Sequence, residues 1–167
     1  MLTDIGEFFV GAYLQLEEGC DVVDYNVRPP GGGLQGLAEL DVVGLNFATN
    51  TIFFCEVTTH IRGLLYKNNT ETVARIRRKH ETQKTYAQRY IDNFENHRFL
   101  FWSPYVPRGQ LTSGLSEIEG LELVINGEYK RRFTKLEQRA KTETHDARNP
   151  VFRMLQIIQN MKDWPVA

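Results

Sequence analysis

The sequence predicts an α/β domain with a mixed central β-sheet flanked by helices. Three observations carry this. Apolar residues recur at helical spacing in an opening segment and a long central one. Short β-rich runs are punctuated by Gly, Pro and Asn, and the two kinds of segment alternate through the second half. At 167 residues, with 41% hydrophobic and 25% charged, the chain has the length and composition of one globular domain, 1–167.

From Thr3 to Glu18, the residues Ile5, Phe8, Phe9, Ala12, Tyr13 and Leu16 form a helical stripe. Thr3 or Asp4 can cap its start and Gly19 its end. Asp21–Val27 is β-rich and runs into the loop signal Pro29-Pro30-Gly31-Gly32-Gly33. Leu37–Leu45 and Thr51–His60 read as two strands joined by the turn-prone stretch Asn46–Asn50. Glu71–Phe94 is the clearest helix, with Val73, Ile76, Ala87, Ile91 and Phe94 on one stripe and His80 and Gln83 in the intervening turns. Arg98–Tyr105 is expected as a buried strand stopped by Pro104, and Leu111–Glu119 as a short helix. Leu121–Ile125 is expected as a strand ending at an Asn126-Gly127 turn. Helices over Lys130–Thr142 and Pro150–Trp164 close the chain, the second with Asn149 as N-cap and Trp164 as an anchor.

Composition excludes some classes. The longest apolar runs fall far below the ~18–20 residues of a membrane span. The start MLTDIGEFF lacks the basic and small-residue features of a secretory signal, and Cys20 and Cys55 form neither a disulfide framework nor a CxxC knuckle. A cytoplasmic protein with no membrane partner is expected. Residues 1–60 hold nine acids against one base, a balance of −8, while the rest hold 19 bases and 12 acids, +7. Such a division suits a protein that gathers cations at one place and phosphates at another, although the charges could equally mix on the folded surface.

The acids of the first half are placed in a telling way. Side chains alternate along a strand, so Glu39 and Asp41 share a face, as do Glu56, Thr58 and His60 on the next strand. A hairpin brings the two polar sets together among apolar neighbours. One such acid could sit on a solvated edge. Three converging on one point repel, and a hard divalent cation with oxygen ligands, Mg²⁺ or Mn²⁺, removes the penalty.

These residues also carry a resemblance. Glu7 on the first helix, Glu39-Leu40-Asp41 on one strand and Glu56-Val57-Thr58 on the next resemble the PD-(D/E)xK, or restriction-endonuclease-like, nuclease superfamily. The pattern is closest to its small endonuclease-like and Holliday-junction-resolvase-like branches, and covers about residues 6–95. The resemblance implies a three-layer restriction-endonuclease-like fold and metal-dependent hydrolysis of phosphodiester bonds, in DNA ahead of RNA. It implies that Asp41, Glu56 and the Val57 carbonyl hold the metal, with Glu39 in support. Glu7 would act through the metal's water shell, and Gln83 would lie near the site. A homodimer is compatible with cutting two strands.

The chain departs from the family at Thr58, where the motif has a lysine. Either another cation substitutes, or the site binds nucleic acid or a protein partner without cutting. His60 lies about 6.6 Å further along the strand. Lys79 or Lys84 could reach in from the long helix, and Lys84, next to Gln83, is the preferred candidate. Two basic clusters could hold phosphates: Arg75, Arg77, Arg78 and Lys79 on that helix, with Lys84 and Arg89, and a second group around Arg131 and Arg132. The glycine-rich loop lacks a phosphate-binding motif. His97 and His145 are expected at the surface, Cys55 in the core, and Trp102 and Tyr105 in the core or stacked on bases.

Overall fold

A computed structural model describes residues 3–28 and 39–161. The chain runs α1 (Ile5–Leu16), β1 (Val22–Val27), β2 (Leu40–Asn46), β3 (Thr51–Val57), α2 (Asn69–Tyr90), β4 (Asn96–Ser103), α3 (Gln110–Ser116), β5 (Leu121–Ile125), α4 (Asn126–Thr142) and α5 (Pro150–Met161). The order matches the sequence expectation element for element. The expected positions Leu37 and Ala38, the glycine-rich loop and Trp164 lie outside the described residues.

The five strands lie in the order β1-β2-β3-β4-β5. β1, β2 and β3 form an antiparallel meander, whereas β4 pairs parallel to β3 and β5 parallel to β4. The sheet is therefore mixed, and β3 is the strand at which the pairing changes sense. Helices cover both faces. On one side α1, α4 and α5 pack over Phe53, Cys55, Leu100, Trp102 and Val124. On the other, α2 and α3 cover Ile52, Phe54, Phe99 and Phe101. Burying each of the large side chains Trp102, Phe54 and Phe101 contributes about 1.5–3 kcal/mol. No described helix is long and apolar enough to cross a membrane.

Local chemistry sets the boundaries. Asp4 and Glu7 form a capping box: the Asp4 carboxylate accepts from the Gly6 N–H and the Glu7 carboxylate from the Asp4 N–H. α2 begins two residues earlier than expected because Asn68 caps it, accepting from the Glu71 N–H at 2.8 Å. It ends at Tyr90, so Ile91 and Phe94 pack on the α2-side core from a loop rather than from the helix. β4 stops at Ser103, ahead of Pro104. Asn126 does turn the chain, in the left-handed region at φ 52°, with its amide bonded to both the N–H and the carbonyl of Val106. That turn opens directly into α4. Asn149 accepts from the Val151 and Phe152 N–H groups and so caps α5 as expected.

Candidate functional site

The first consequence of this fold is a meeting of two carboxylates at the carboxyl end of β3. Val42 pairs with Cys55 across the β2–β3 ladder, so one step further Asp41 stands opposite Glu56. Both side chains emerge on the face covered by α2, like Val43 and Phe54 before them. The Val57 N–H donates to the Asp41 carboxylate at 2.8 Å and fixes it. The Lys79 ammonium, on α2, straddles the Glu56 carboxylate at 3.1 Å and 3.3 Å. Carboxyl ends of strands in open α/β sheets are where ligands bind, because the loops there diverge and leave a crevice.

The electrostatics follow from burial. Glu56 is 8% exposed. Desolvation and then repulsion from Asp41 push its carboxyl well above the usual carboxylate range, and Lys79 and Arg75 offset only part of this. Burial raises Asp41 as well, against the Val57 N–H and Lys79, with Glu39 adding repulsion. Burial alone would lower Lys79, but the charges of Glu56 and Asp41 and its bond to Glu56 outweigh this and hold it above its ordinary value. Two carboxyls and one ammonium thus share a partly dry site, with one more negative charge than positive when all are ionised.

Glu7 sits close to this pair. The start of α1 presses onto the chain leaving β3, where a Cβ at Gly6 would run into the Thr59 methyl. Burial raises the Glu7 carboxyl, the Asp4 N–H opposes that, and Asp41 adds repulsion. Its Oε2 accepts from the Asp4 N–H in the helix cap and also from the Asn26 amide at 3.3 Å.

Several sequence expectations change. Glu39 forms an ion pair with Arg28 at 3.5 Å, and among the described residues no three His, Cys, Asp or Glu side chains converge as a metal group. The three-acid cluster is therefore a pair, Asp41 and Glu56. Thr58 lies beyond the end of β3, its N–H bonded to the Trp102 carbonyl and its hydroxyl buried without a hydrogen-bond partner among the described residues.

Lys84 was the preferred cation, but Lys79 is the one against Glu56. Lys84 pairs with Glu81 at 3.0 Å and lines an open cleft of about 530 Å³ with His80, Asp92, His97 and Phe99. The reason is helical geometry: Lys79 lies four residues before Gln83, about 40° away around the axis, whereas Lys84 is about 100° away. That spacing is the sequence signal that could have found it. Gln83 is buried as expected, with neither amide atom hydrogen-bonded among the described residues.

The basic clusters separate. Arg75, Arg77 and Arg78 are exposed on α2. The second cluster lies on the opposite face and is largely consumed internally. Arg132 is 8% exposed, bonded to Glu128 at 2.7 Å and stacked over Trp102 and Tyr13. Arg131 grips the same Glu128 in a bidentate pair. Arg132 is thus a packing residue rather than a phosphate contact.

Among the lone candidates, Trp102 and Cys55 are core, and His145 is exposed. His97 is not at the surface as expected: it is half-buried, hydrogen-bonded to the Ile91 carbonyl and stacked on Phe54. Reasoning from sequence missed Tyr66, which sits under the Arg75 guanidinium at 4.2 Å and within 3.3 Å of His60. A lone loop aromatic gives no periodic signal. No protein-family model matches the chain, and no curated protein or solved structure matches it.

Proposed function

We propose that this chain is a metal-dependent nuclease that hydrolyses nucleic-acid phosphodiester bonds, with DNA expected ahead of RNA, on a restriction-endonuclease-like fold. One observation carries the reading: Asp41 and Glu56 face each other at the end of β3 with the Lys79 ammonium on Glu56. The lysine absent at Thr58 has a substitute of the right charge from α2. The mixed sheet, an antiparallel meander followed by parallel strands, supports the reading as a compatible scaffold.

The donor set suits Mg²⁺ or Mn²⁺. Both carboxylates are hard oxygen ligands, and Mg²⁺ is commonly held by one or two carboxylates with water and substrate phosphate completing the shell. The strongly raised Glu56 carboxyl is a group whose ionisation a divalent cation would favour. Asp41 and Glu56 would hold the ion, with the Val57 carbonyl beside them. When bound, it supplies positive charge to the scissile phosphate and acidifies water. Lys79 orients the attacking water and faces the charge that develops on the phosphoryl oxygens. The Val57 N–H keeps Asp41 in place, and Glu7 adds a further acceptor at the edge. The exposed Arg75, Arg77 and Arg78 hold flanking phosphates, a contact to backbone rather than to bases.

The test is cleavage of linear, branched and single-stranded DNA, and of RNA, with Mg²⁺ or Mn²⁺. Mn²⁺ binding is followed separately by calorimetry. Asp41→Asn and Glu56→Gln should abolish both cleavage and Mn²⁺ binding. Intact polymer in every reaction, with salt-dependent binding that ignores metal, would replace this reading by a second one. That reading is a nuclease-fold module that binds nucleic acid without cutting, favoured by Thr58 and by the two-acid rather than three-acid site.

A further inference from the structure

The chain between β3 and α2, from Thr58 to Asn68, takes no part in the chemistry above but lies beside it. Its ends and middle are tied down. The Leu64 side chain is fully buried, and its N–H donates to the Tyr105 carbonyl at 3.0 Å. Gly63 makes the tight approach, at φ 114°, where a Cβ would lie 3.2 Å from the Tyr105 ring. The Tyr66 N–H donates to the Thr72 hydroxyl at 2.8 Å, and the Asn68 N–H to the Tyr66 carbonyl at 2.7 Å. Arg75 stacks on the Tyr66 ring, and His60 meets it edge-on.

This anchoring holds two apolar side chains out in solvent. Ile61 is 86% exposed and Leu65 51%. The loop is pinned at Leu64 and Tyr66, on either side of Leu65. The segment itself is basic: residues 57–70 contain no acid, Arg62 and Lys67 are exposed, and Arg75 and Arg78 follow on α2. An acid-free segment that carries two exposed apolar side chains among cations calls for a ligand with both anionic groups and apolar faces. It matches a nucleic acid, whose phosphates take the cations and whose base faces take the apolar group. Duplex base faces are covered by stacking, so the tip gains contact only where a step is unpaired or readily unstacked.

We propose that the Thr58–Asn68 loop is a nucleic-acid finger, in which Ile61 packs on an unstacked base while Arg62, Lys67 and Arg75 hold the adjoining phosphates. The preferred ligand class is therefore nucleic acid containing an unpaired step, in preference to continuous duplex. This rests on the nucleic-acid reading of the neighbouring site, but not on cleavage.

The experiment measures binding of the full chain, without added metal, to fluorescent 2-aminopurine oligonucleotides in gapped, branched and continuous duplex form. The wild type should prefer the gapped and branched forms and raise the fluorescence of the base at the gap. Ile61→Ser should weaken binding to those forms about tenfold, the effect of leaving one buried aliphatic side chain in water. It should abolish the fluorescence rise and leave duplex binding within about twofold, because phosphate contacts persist. Ile61→Leu should restore both. Because Ile61 is exposed, the urea midpoint of Ile61→Ser should match the wild type, which separates a contact role from a folding defect.

Equal binding to all forms, or an Ile61→Ser protein with unchanged affinity, overturns the proposal. So does a change in sedimentation without a change in affinity, which would make the tip a protein contact. Loss of all nucleic-acid binding in the wild type would instead overturn the underlying reading, and a finger that binds without any cleavage would leave the proposal standing.

Discussion

Replacing Lys79 by methionine keeps the length of the side chain and removes the ammonium in contact with Glu56. In the wild type the ammonium lies 3.1 Å from one Glu56 oxygen and 3.3 Å from the other. The Glu56 side chain is 10% exposed and that of Lys79 27%. A charge-assisted bond of this kind contributes about 1.5–3 kcal/mol, and partial solvent access to Lys79 favours the lower half, about 2 kcal/mol. The sign of its pH dependence follows from the raised Glu56 carboxyl. A carboxyl with a raised folded pKa stabilises the fold most below its unfolded value, and that contribution is lost as pH rises through the raised value. Lys79 counters the loss, and its own raised pKa keeps it charged across neutral pH.

Lys79→Met should therefore cost about 2 kcal/mol at pH 8, where Glu56 must ionise or take up a proton beside Asp41. It should cost less than about 1 kcal/mol near pH 4.5, where Glu56 is protonated in the fold and about half so in the unfolded chain. Urea denaturation at the two pH values measures both, with Lys84→Met as control. Lys84 is in an exposed pair with Glu81, so its loss should stay within about 0.5 kcal/mol at either pH. The same proteins divide in activity: Lys79→Met should lose at least about 100-fold in cleavage, the scale of removing one charge-stabilising group, while Lys84→Met retains it. An equal loss at both pH values, or a larger effect from Lys84→Met, would refute the assignment of Lys79 to the site.

Other expectations follow from the same contacts. Arg132→Ala should cost about 3 kcal/mol by urea denaturation, because it strips a buried guanidinium from Glu128 and from the rings of Trp102 and Tyr13. It should leave the salt dependence of nucleic-acid binding unchanged. Replacing Arg77 and Arg78 together by serine should instead leave stability near wild type and reduce that log–log salt slope by about 2. Asn149→Ala should lower stability by about 2 kcal/mol, since it removes the α5 cap and the 2.7 Å bond from the Asn149 amide to the Phe8 carbonyl. Gly11→Ala should cost about 1–3 kcal/mol, because the new methyl meets the Tyr25 hydroxyl and ring; a thermal midpoint equal to wild type would contradict that packing.

The order of all ten elements was legible in the chain because each carries its own local signal. Periodicity marks the helices, Asp4 and Asn149 mark helix starts, and Pro104 limits β4. The pairing of Asp41 with Glu56 was legible too, since a short hairpin with alternating side chains leaves few registers that keep Val42, Val43, Phe54 and Cys55 in the core. Tertiary structure decided the rest. It set Glu39 against Arg28, ended β3 before Thr58, spent Arg132 on an aromatic stack, and chose Lys79 over Lys84. Local pattern fixes which face a residue occupies. Which charge finds which partner depends on the rotation and height at which α2 and α4 dock on the sheet, and that is set by packing summed over the whole core.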